Sequence, residues 1–192
     1  MIELLLIRHT TPDVKEGTCY GQIDLNCHSC FDSEADDINQ ILTASKYSPD
    51  IIFSSPLKRC KLLATHLFHA QKVYLDENLK ELNFGDWEGM FWKAIPKNEI
   101  DVWAENFVLQ SPPNGESFKQ LLKRVEQFEK QMVNGNSKKI AIVTHSGIIR
   151  AFLMKYLNIP ASNIFNLHLN YGAIVKISIH DDDYHQVEII KG

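Results

Sequence analysis

The chain is predicted to fold as an α/β protein, three layers deep, with a mostly parallel sheet held between helices. Two observations predict it. Four short β-branched runs are apolar without interruption, as strands are when both of their faces are covered. The segments between them repeat their apolar residues at helical spacing, so strand and helix alternate along the chain.

The four runs are Glu3 to Arg8, Ile51 to Ser54, Val73 to Leu75 and Lys139 to Thr144, and each is expected as a parallel core strand. Ala35, Ile38, Ile41 and Leu42 form the apolar face of a first covering helix; Leu62, Leu63, Leu67 and Phe68, downstream of Pro56, form that of a second. Glu116 to Met132 carries Leu121, Leu122, Val125, Phe128 and Met132 at helical intervals, and Gly147 to Leu157 is a further helix with Pro160 beyond its end. Ala173 to Ile179 and Gln186 to Ile190 are expected to pair as a hairpin at a sheet edge around the polar turn Asp181-Asp182-Asp183. The segment from Asn83 to Ser117 has no single period: it mixes Gly85, Gly89 and Gly115 with three prolines and with Trp87, Trp92 and Trp103. It is expected to be a partly helical excursion over a site, its tryptophans either a lid or a core.

Length and composition narrow the possibilities. The 192 residues are expected to form one domain over the whole of 1–192, since no repeat or linker divides them. Apolar residues at 44% and charged residues at 23% are ordinary globular values, and a formal net charge of -4 offers no broad basic field to nucleic acid or to an acidic membrane. The only apolar N-terminal stretch, Leu4 to Ile7, is too short for a signal sequence or a membrane span, so a cytoplasmic protein is expected. Cys19, Cys27, Cys30 and Cys60 are too few for a disulfide scaffold and are expected to be free thiols. Cys27-His28-Ser29-Cys30 has the C-x-x-C form, but without the strand-to-helix setting of a redox motif or a second ligand pair. His28, His66, His69, His168, His180 and His185 form no ligand pattern supported by carboxylates, and no metal is expected.

The residues that carry chemistry lie at strand ends. Arg8-His9 follows the first strand, and Thr144-His145-Ser146-Gly147 follows another and opens a helix. In open parallel sheets ligands bind at that edge, where a helix N-terminus presents unpaired N–H groups to an anion. Ser54-Ser55-Pro56-Leu57-Lys58-Arg59 returns Arg59 to the same edge. Phosphate is the natural guest, because planar guanidinium forks bind its oxygens in pairs. Phosphate monoesters hydrolyse so slowly unaided that accelerations reach ~10²¹-fold. An imidazole nucleophile divides that hydrolysis into two easier displacements, and a second imidazole, protonated beside the dianion, adds positive charge at the transition state. The leaving alkoxide needs a proton. Glu81, which follows the third strand directly and sits among Leu82, Phe84 and Trp87, is the best candidate donor; Asp86 and Glu88 are rival carboxylates, and spacing alone does not rank the three.

These segments resemble, in order from residue 4 to residue 150, the motifs of the histidine phosphatase superfamily, also called phosphoglycerate mutase-like. Leu6-Ile7-Arg8-His9-Thr10 is similar to its R-H-G signature and Ser54 to Arg59 to its second-arginine segment. Glu81 to Gly89 is similar to its acid loop and Thr144 to Gly147 to its T-H-G-G turn. The resemblance implies a phosphoglycerate mutase-like fold, His9 as nucleophile, Arg8, Arg59 and His145 as the phosphate pocket, and Glu81 as proton donor, with no metal or organic cofactor. Thr10 and Ser146 stand where the family usually has glycine; both are small, and their hydroxyls are expected to reach the phosphate. Within the family, Arg8 to Val14 leading to Cys19-Tyr20-Gly21-Gln22-Ile23-Asp24 resembles the α-ribazole phosphatases. That likeness implies removal of the 5′-phosphate from α-ribazole phosphate in cobalamin biosynthesis, with Tyr20, Gln22 and 83–117 at the substrate mouth.

The rival readings are a broader sugar-phosphate or nucleotide phosphatase, a phosphoglycerate mutase-type enzyme, and a phosphate-binding scaffold without catalysis. Arg150, one turn into its helix, is read as a member of a structural ion pair.

Overall fold

The structure, a computed structural model, describes residues 1–133, 138–180 and 184–192. Six strands form one mixed sheet in the order β3-β2-β4-β1-β5-β6. They are β1 (Ile2–Arg8), β2 (Ile51–Ser54), β3 (Val73–Leu75), β4 (Lys139–Thr144), β5 (Ile174–Ile179) and β6 (His185–Lys191). β1, β2, β3 and β4 run parallel to one another, while β5 pairs antiparallel with β1 and with β6. The helices are α1 (Phe31–Ala44), α2 (Lys58–Leu67), α3 (Lys97–Glu105), α4 (Phe118–Val133) and α5 (Ser146–Leu157). The α/β expectation therefore holds, including the closing hairpin at the sheet edge. The Asp181-Asp182-Asp183 turn lies outside the described residues.

The unbroken apolar runs have a simple cause. Leu4 and Leu6 of β1 point to one face, where they join Ile140, Ile142 and the apolar sides of α4 and α5. Leu5 and Ile7 point to the other, against Ala141, Val143 and the buried residues of α1 and α2. Successive side chains alternate faces, so a strand with helices on both sides is apolar at every position. Each such leucine or isoleucine contributes about 1.5–3 kcal/mol of burial.

One strand departs from that expectation. β3 is paired only with β2 and is not a core strand: Tyr74 and Leu75 are 41% and 48% exposed. Val73 packs against the core beside α2, while the other two residues lie at the open edge where the sheet ends.

The excursion contains two short 3₁₀ turns, Gly85–Trp87 and Trp92–Ala94, followed by α3. It builds a small core of its own from Cys19, Trp87 and Ile95, edged by Phe84, Trp92, Ile100 and Trp103. Backbone bonds tie it to the N-terminal loop, Cys19 N–H donating to Met90 O at 2.7 Å and Gly89 N–H to Cys19 O at 2.8 Å. Among the described residues no helix is long and apolar enough to cross a membrane.

Candidate active site

The sheet register sets the site. Arg8 pairs with Thr144 across β1 and β4, so His9 and His145, the next residues of each strand, leave the sheet side by side. Their rings meet edge to face, with centroids 5.1 Å apart. Ser55 extends β2 on the other side of β4, donating its N–H to Val143 O at 3.0 Å. Arg59 enters from the first turn of α2, the start of which is fixed by Lys58 N–H donating to Asp24 Oδ1 at 2.6 Å.

His9 Nδ1 lies 2.7 Å from Thr10 O. A carbonyl only accepts, so Nδ1 carries the proton and Nε2 keeps its lone pair. That lone pair faces the Arg59 Nε–H at 3.3 Å. The rest of the Arg59 fork donates to Ile23 O at 2.8 Å and Gly21 O at 2.7 Å. Arg8 donates to Leu169 O and stands 4.1 Å from the centre of the Tyr171 ring. The Tyr171 hydroxyl meets that of Tyr20 at 2.5 Å. His145 Nε2 lies 2.8 Å from Ser55 Oγ, with the Cys60 thiol packed 3.4 Å away.

His9, Arg59 and His145 are 1%, 0% and 0% exposed, and this burial governs their protonation. Both imidazoles are held well below the ordinary histidine range, first by burial and then by Arg59, with Arg8 adding a smaller push; His9 also depresses His145. The unliganded site is therefore cationic through its arginines and neutral at its histidines. A phosphate dianion opposes both effects and favours protonation of His145.

Geometry ranks the three candidate carboxylates. Glu88 accepts from the backbone N–H groups of Gln22, Ile23 and Phe84 at 2.8, 2.7 and 3.0 Å, and so ties the N-terminal loop to the acid loop. Asp86 is exposed and accepts from the Asn114 amide at 2.9 Å. Glu81 alone of the three reaches the site. Its Oε1 accepts from Gly147 N–H at 3.1 Å, in the first turn of α5, and its Oε2 from Ser146 Oγ at 3.2 Å. Residue 147 must be glycine for this approach, since a Cβ there stands 2.2 Å from Glu81 Oε1.

The backbone of the acid loop is clamped from behind. Gln22 Nε2 donates to Glu81 O at 2.9 Å, and Arg124 Nη2 donates to the same oxygen at 3.0 Å. Arg124 also donates to Asn78 O at 2.5 Å and makes a largely buried ion pair with Glu116 at 2.6 Å. Sequence reasoning missed Arg124, although a signal was present: it sits three residues after Leu121 and four before Phe128, inside the apolar stripe of α4.

Beside Glu81 opens a cavity of about 230 Å³. Glu81, Ser146 and Gly147 line one wall; Tyr20, Phe84, Trp92, Trp103, Phe118 and Phe165 supply an aromatic lining; Arg8 and Arg150 bring positive charge. The tryptophans thus divide, Trp87 being buried core while Trp92 and Trp103 face the cavity. Of the residues expected at the site, Arg8, His9, Arg59 and His145 converge, and Glu81, Tyr20 and Ser146 reach the adjoining cavity. Gln22 does not line that cavity but holds the Glu81 carbonyl, and the Thr10 hydroxyl is buried without a hydrogen-bond partner. The ion-pair reading of Arg150 is overturned: among the described residues it joins no ion pair and instead donates to Leu167 O at 3.0 Å. From α5 it faces the cavity, near enough to Glu81 to feel its charge but not in contact with it.

A doubly wound sheet edge at which two imidazoles and two guanidiniums gather defines a phosphate-handling protein. The chain belongs to the histidine phosphatase superfamily (branch 1), whose model matches residues 4–190, and it is a phosphatase of that superfamily. It is 28% identical over 190 residues to a putative phosphoserine phosphatase 2 of Hydrogenobacter thermophilus, covering 95% of this chain and 92% of that one. The α-ribazole phosphatase of Shigella flexneri superposes with a TM-score of 0.87 at 22% identity, over 98% of this chain and 95% of that one. A mycobacterial glucosyl-3-phosphoglycerate phosphatase superposes at 0.84, also at 22% identity, over 98% and 97% of the two chains. At that identity the two structures speak for the fold.

Proposed function

We propose that the protein is a phosphomonoesterase that hydrolyses α-ribazole 5′-phosphate to α-ribazole and phosphate, by way of phospho-His9. The observation that carries the chemistry is the tautomer of His9: its Nδ1 proton is spent on Thr10 O, which leaves a nucleophilic Nε2 inside a nest of guanidinium groups. Arg8, Arg59 and His145 take the phosphate oxygens. Nε2 forms a bond to phosphorus as the ester P–O bond breaks, and Glu81 gives its proton to the departing oxygen. The Glu81 carboxylate then removes a proton from water, whose oxygen attacks phosphorus. The P–N bond breaks, and phosphate leaves with His9 restored. No metal or organic cofactor enters either step.

The substrate part of the reading rests on the aromatic lining beside Glu81, which suits a planar, largely apolar leaving group such as a benzimidazole nucleoside. It assigns the protein a late step of cobalamin biosynthesis and a place in the cytoplasm, where its four free cysteines stay reduced. Residues 1–192 act as one domain in this reading, with 83–117 walling the leaving-group side.

The test is phosphate release by chelator-treated protein from α-ribazole 5′-phosphate and a panel of other monoesters, with His9→Ala alongside. Selective release lost in the variant is the expected result. Release from other esters alone keeps the phosphohistidine route and removes the cobalamin assignment. Undiminished turnover by His9→Ala sinks the route itself.

A further inference from the structure

Arg150 is a half-buried guanidinium with no counter-ion in contact among the described residues. It lies one turn into α5 and lines the same cavity as Glu81, whose charge attracts it without an ion pair. Only one of its N–H groups is known to be used, Nη2 donating to Leu167 O at 3.0 Å; Nε is buried with no acceptor. The guanidinium carbon stands 5.3 Å from the centre of the Phe165 ring. Trp103, on the wall of the same cavity, likewise has its ring N–H buried without an acceptor. Donors left unmet at the edge of a cavity are costly, and a ligand acceptor relieves that cost.

The position of Arg150 says which part of a ligand it serves. His9, Arg59 and His145 do not line this cavity, whereas Arg8 and Glu81 do, so it begins beside the phosphate groups and leads away from them. A leaving group whose oxygen takes a proton from Glu81 therefore extends along Arg150.

We propose that Arg150 anchors a subsite for the departing alcohol: it takes a hydrogen-bond acceptor on that alcohol, while Phe84, Trp92, Trp103 and Phe165 cover its apolar body. This rests on the phosphomonoesterase reading for the direction in which the alcohol leaves. The acceptor is a ring nitrogen or sugar oxygen if the ester is a heterocyclic nucleotide, and a carboxylate if it is a phosphorylated hydroxy or amino acid. Both present the lone pairs that a guanidinium fork binds.

The experiment compares kcat/KM of the parent, Arg150→Met and Arg150→Lys on α-ribazole 5′-phosphate, O-phospho-L-serine and benzyl phosphate, the last having an aromatic ring and no second acceptor. Loss of a hydrogen bond to a charged group lowers the ratio of the preferred acceptor-bearing ester to benzyl phosphate by roughly 10- to 100-fold in Arg150→Met. Arg150→Lys recovers part of it. The ester that suffers identifies the acceptor. Equal losses on all three esters, or none on any, overturn the proposal. If the parent cleaves nothing, the hydrolase reading fails separately, and the subsite is then judged by tryptophan fluorescence titration with α-ribazole and with O-phospho-L-serine. Equal affinities of parent and Arg150→Met for both overturn it.

Discussion

The phosphate end of the site and the leaving-group end are made from different parts of the fold. His9, His145 and Ser55 leave three neighbouring strands of the sheet's interior, and Arg59 is locked by carbonyls of the loop beside it. Around the other end stand a short helix, two 3₁₀ turns and the Ala161–Asn166 turn that carries Phe165. Strand ends fix a side chain through a register that cannot slip without turning every neighbour to the wrong face. Turns fix it only through local bonds and packing. A chemistry shared by many esters suits the first construction, and a choice among esters suits the second.

Glu81 belongs to both ends, so substituting it gives the largest effect that separates them. Glu81→Gln keeps the bonds from Gly147 and Ser146 in reach but has no proton to give. For an alkyl phosphate kcat/KM, which covers phosphoryl transfer to His9 and not the later water step, is expected to fall about 10²- to 10⁴-fold, the usual contribution of a general acid. For p-nitrophenyl phosphate, whose leaving group needs no proton, it is expected to fall far less. Steady-state kinetics on the two esters checks this; equal losses of kcat/KM on both break the division by assigning Glu81 to phosphate binding.

A smaller effect of the same sign is expected from the clamp behind Glu81. Arg124→Gln removes the guanidinium that joins Glu116 to the Glu81 and Asn78 carbonyls. The expected result is a loss of roughly 10-fold in kcat on the alkyl ester with KM little changed, since a modest misplacement of a reacting group is enough for such a loss. Arg124→Lys does not restore the fork. A change confined to KM, or a fall in kcat/KM equal on p-nitrophenyl phosphate, makes Arg124 a folding residue only. Gly147→Ala sharpens the same point from the front, because the added Cβ pushes on the Glu81 carboxylate, a side-chain end, with little demand on the backbone.

The two ends also differ in how far they can be read from the chain. Continuous apolar runs located β1, β2 and β4, and the residues that follow them, His9, Ser55 and His145, come together at one end of the site. The neighbour order β2-β4-β1, which brings His9 beside His145, comes from pairing across 135 residues and has no local signal. β3 read as a core strand because three apolar or aromatic residues look alike at the centre and the edge of a sheet. Glu81 stands out by its place after β3 and its apolar neighbours, but spacing does not separate it from Asp86 and Glu88; the backbone N–H groups that occupy Glu88 do. Arg150 was misread because its partners, Leu167 and Phe165, lie in an irregular turn well downstream.

The last difference between the ends is in titration, since the leaving-group cavity is lined by no histidine among the described residues while the phosphate end holds two. Both are held below 6.5 in the folded chain, by burial first and by Arg59 next. As pH falls through 6.5, the unfolded chain binds protons at these positions and the folded chain does not, so unfolding becomes easier. Each histidine contributes up to ~1.4 kcal/mol per pH unit until its own folded pKa is reached. Urea unfolding at pH 7.5 and pH 5.5 measures the loss, and His9→Asn is expected to remove about half of it. Inorganic phosphate pulls the other way at His145, because the dianion stabilises the imidazolium; the remaining loss should shrink when phosphate is bound. A His9→Asn protein whose stability falls with pH as steeply as the parent's would place the acid sensitivity elsewhere, and a parent unaffected by phosphate would remove His145 from the anion site.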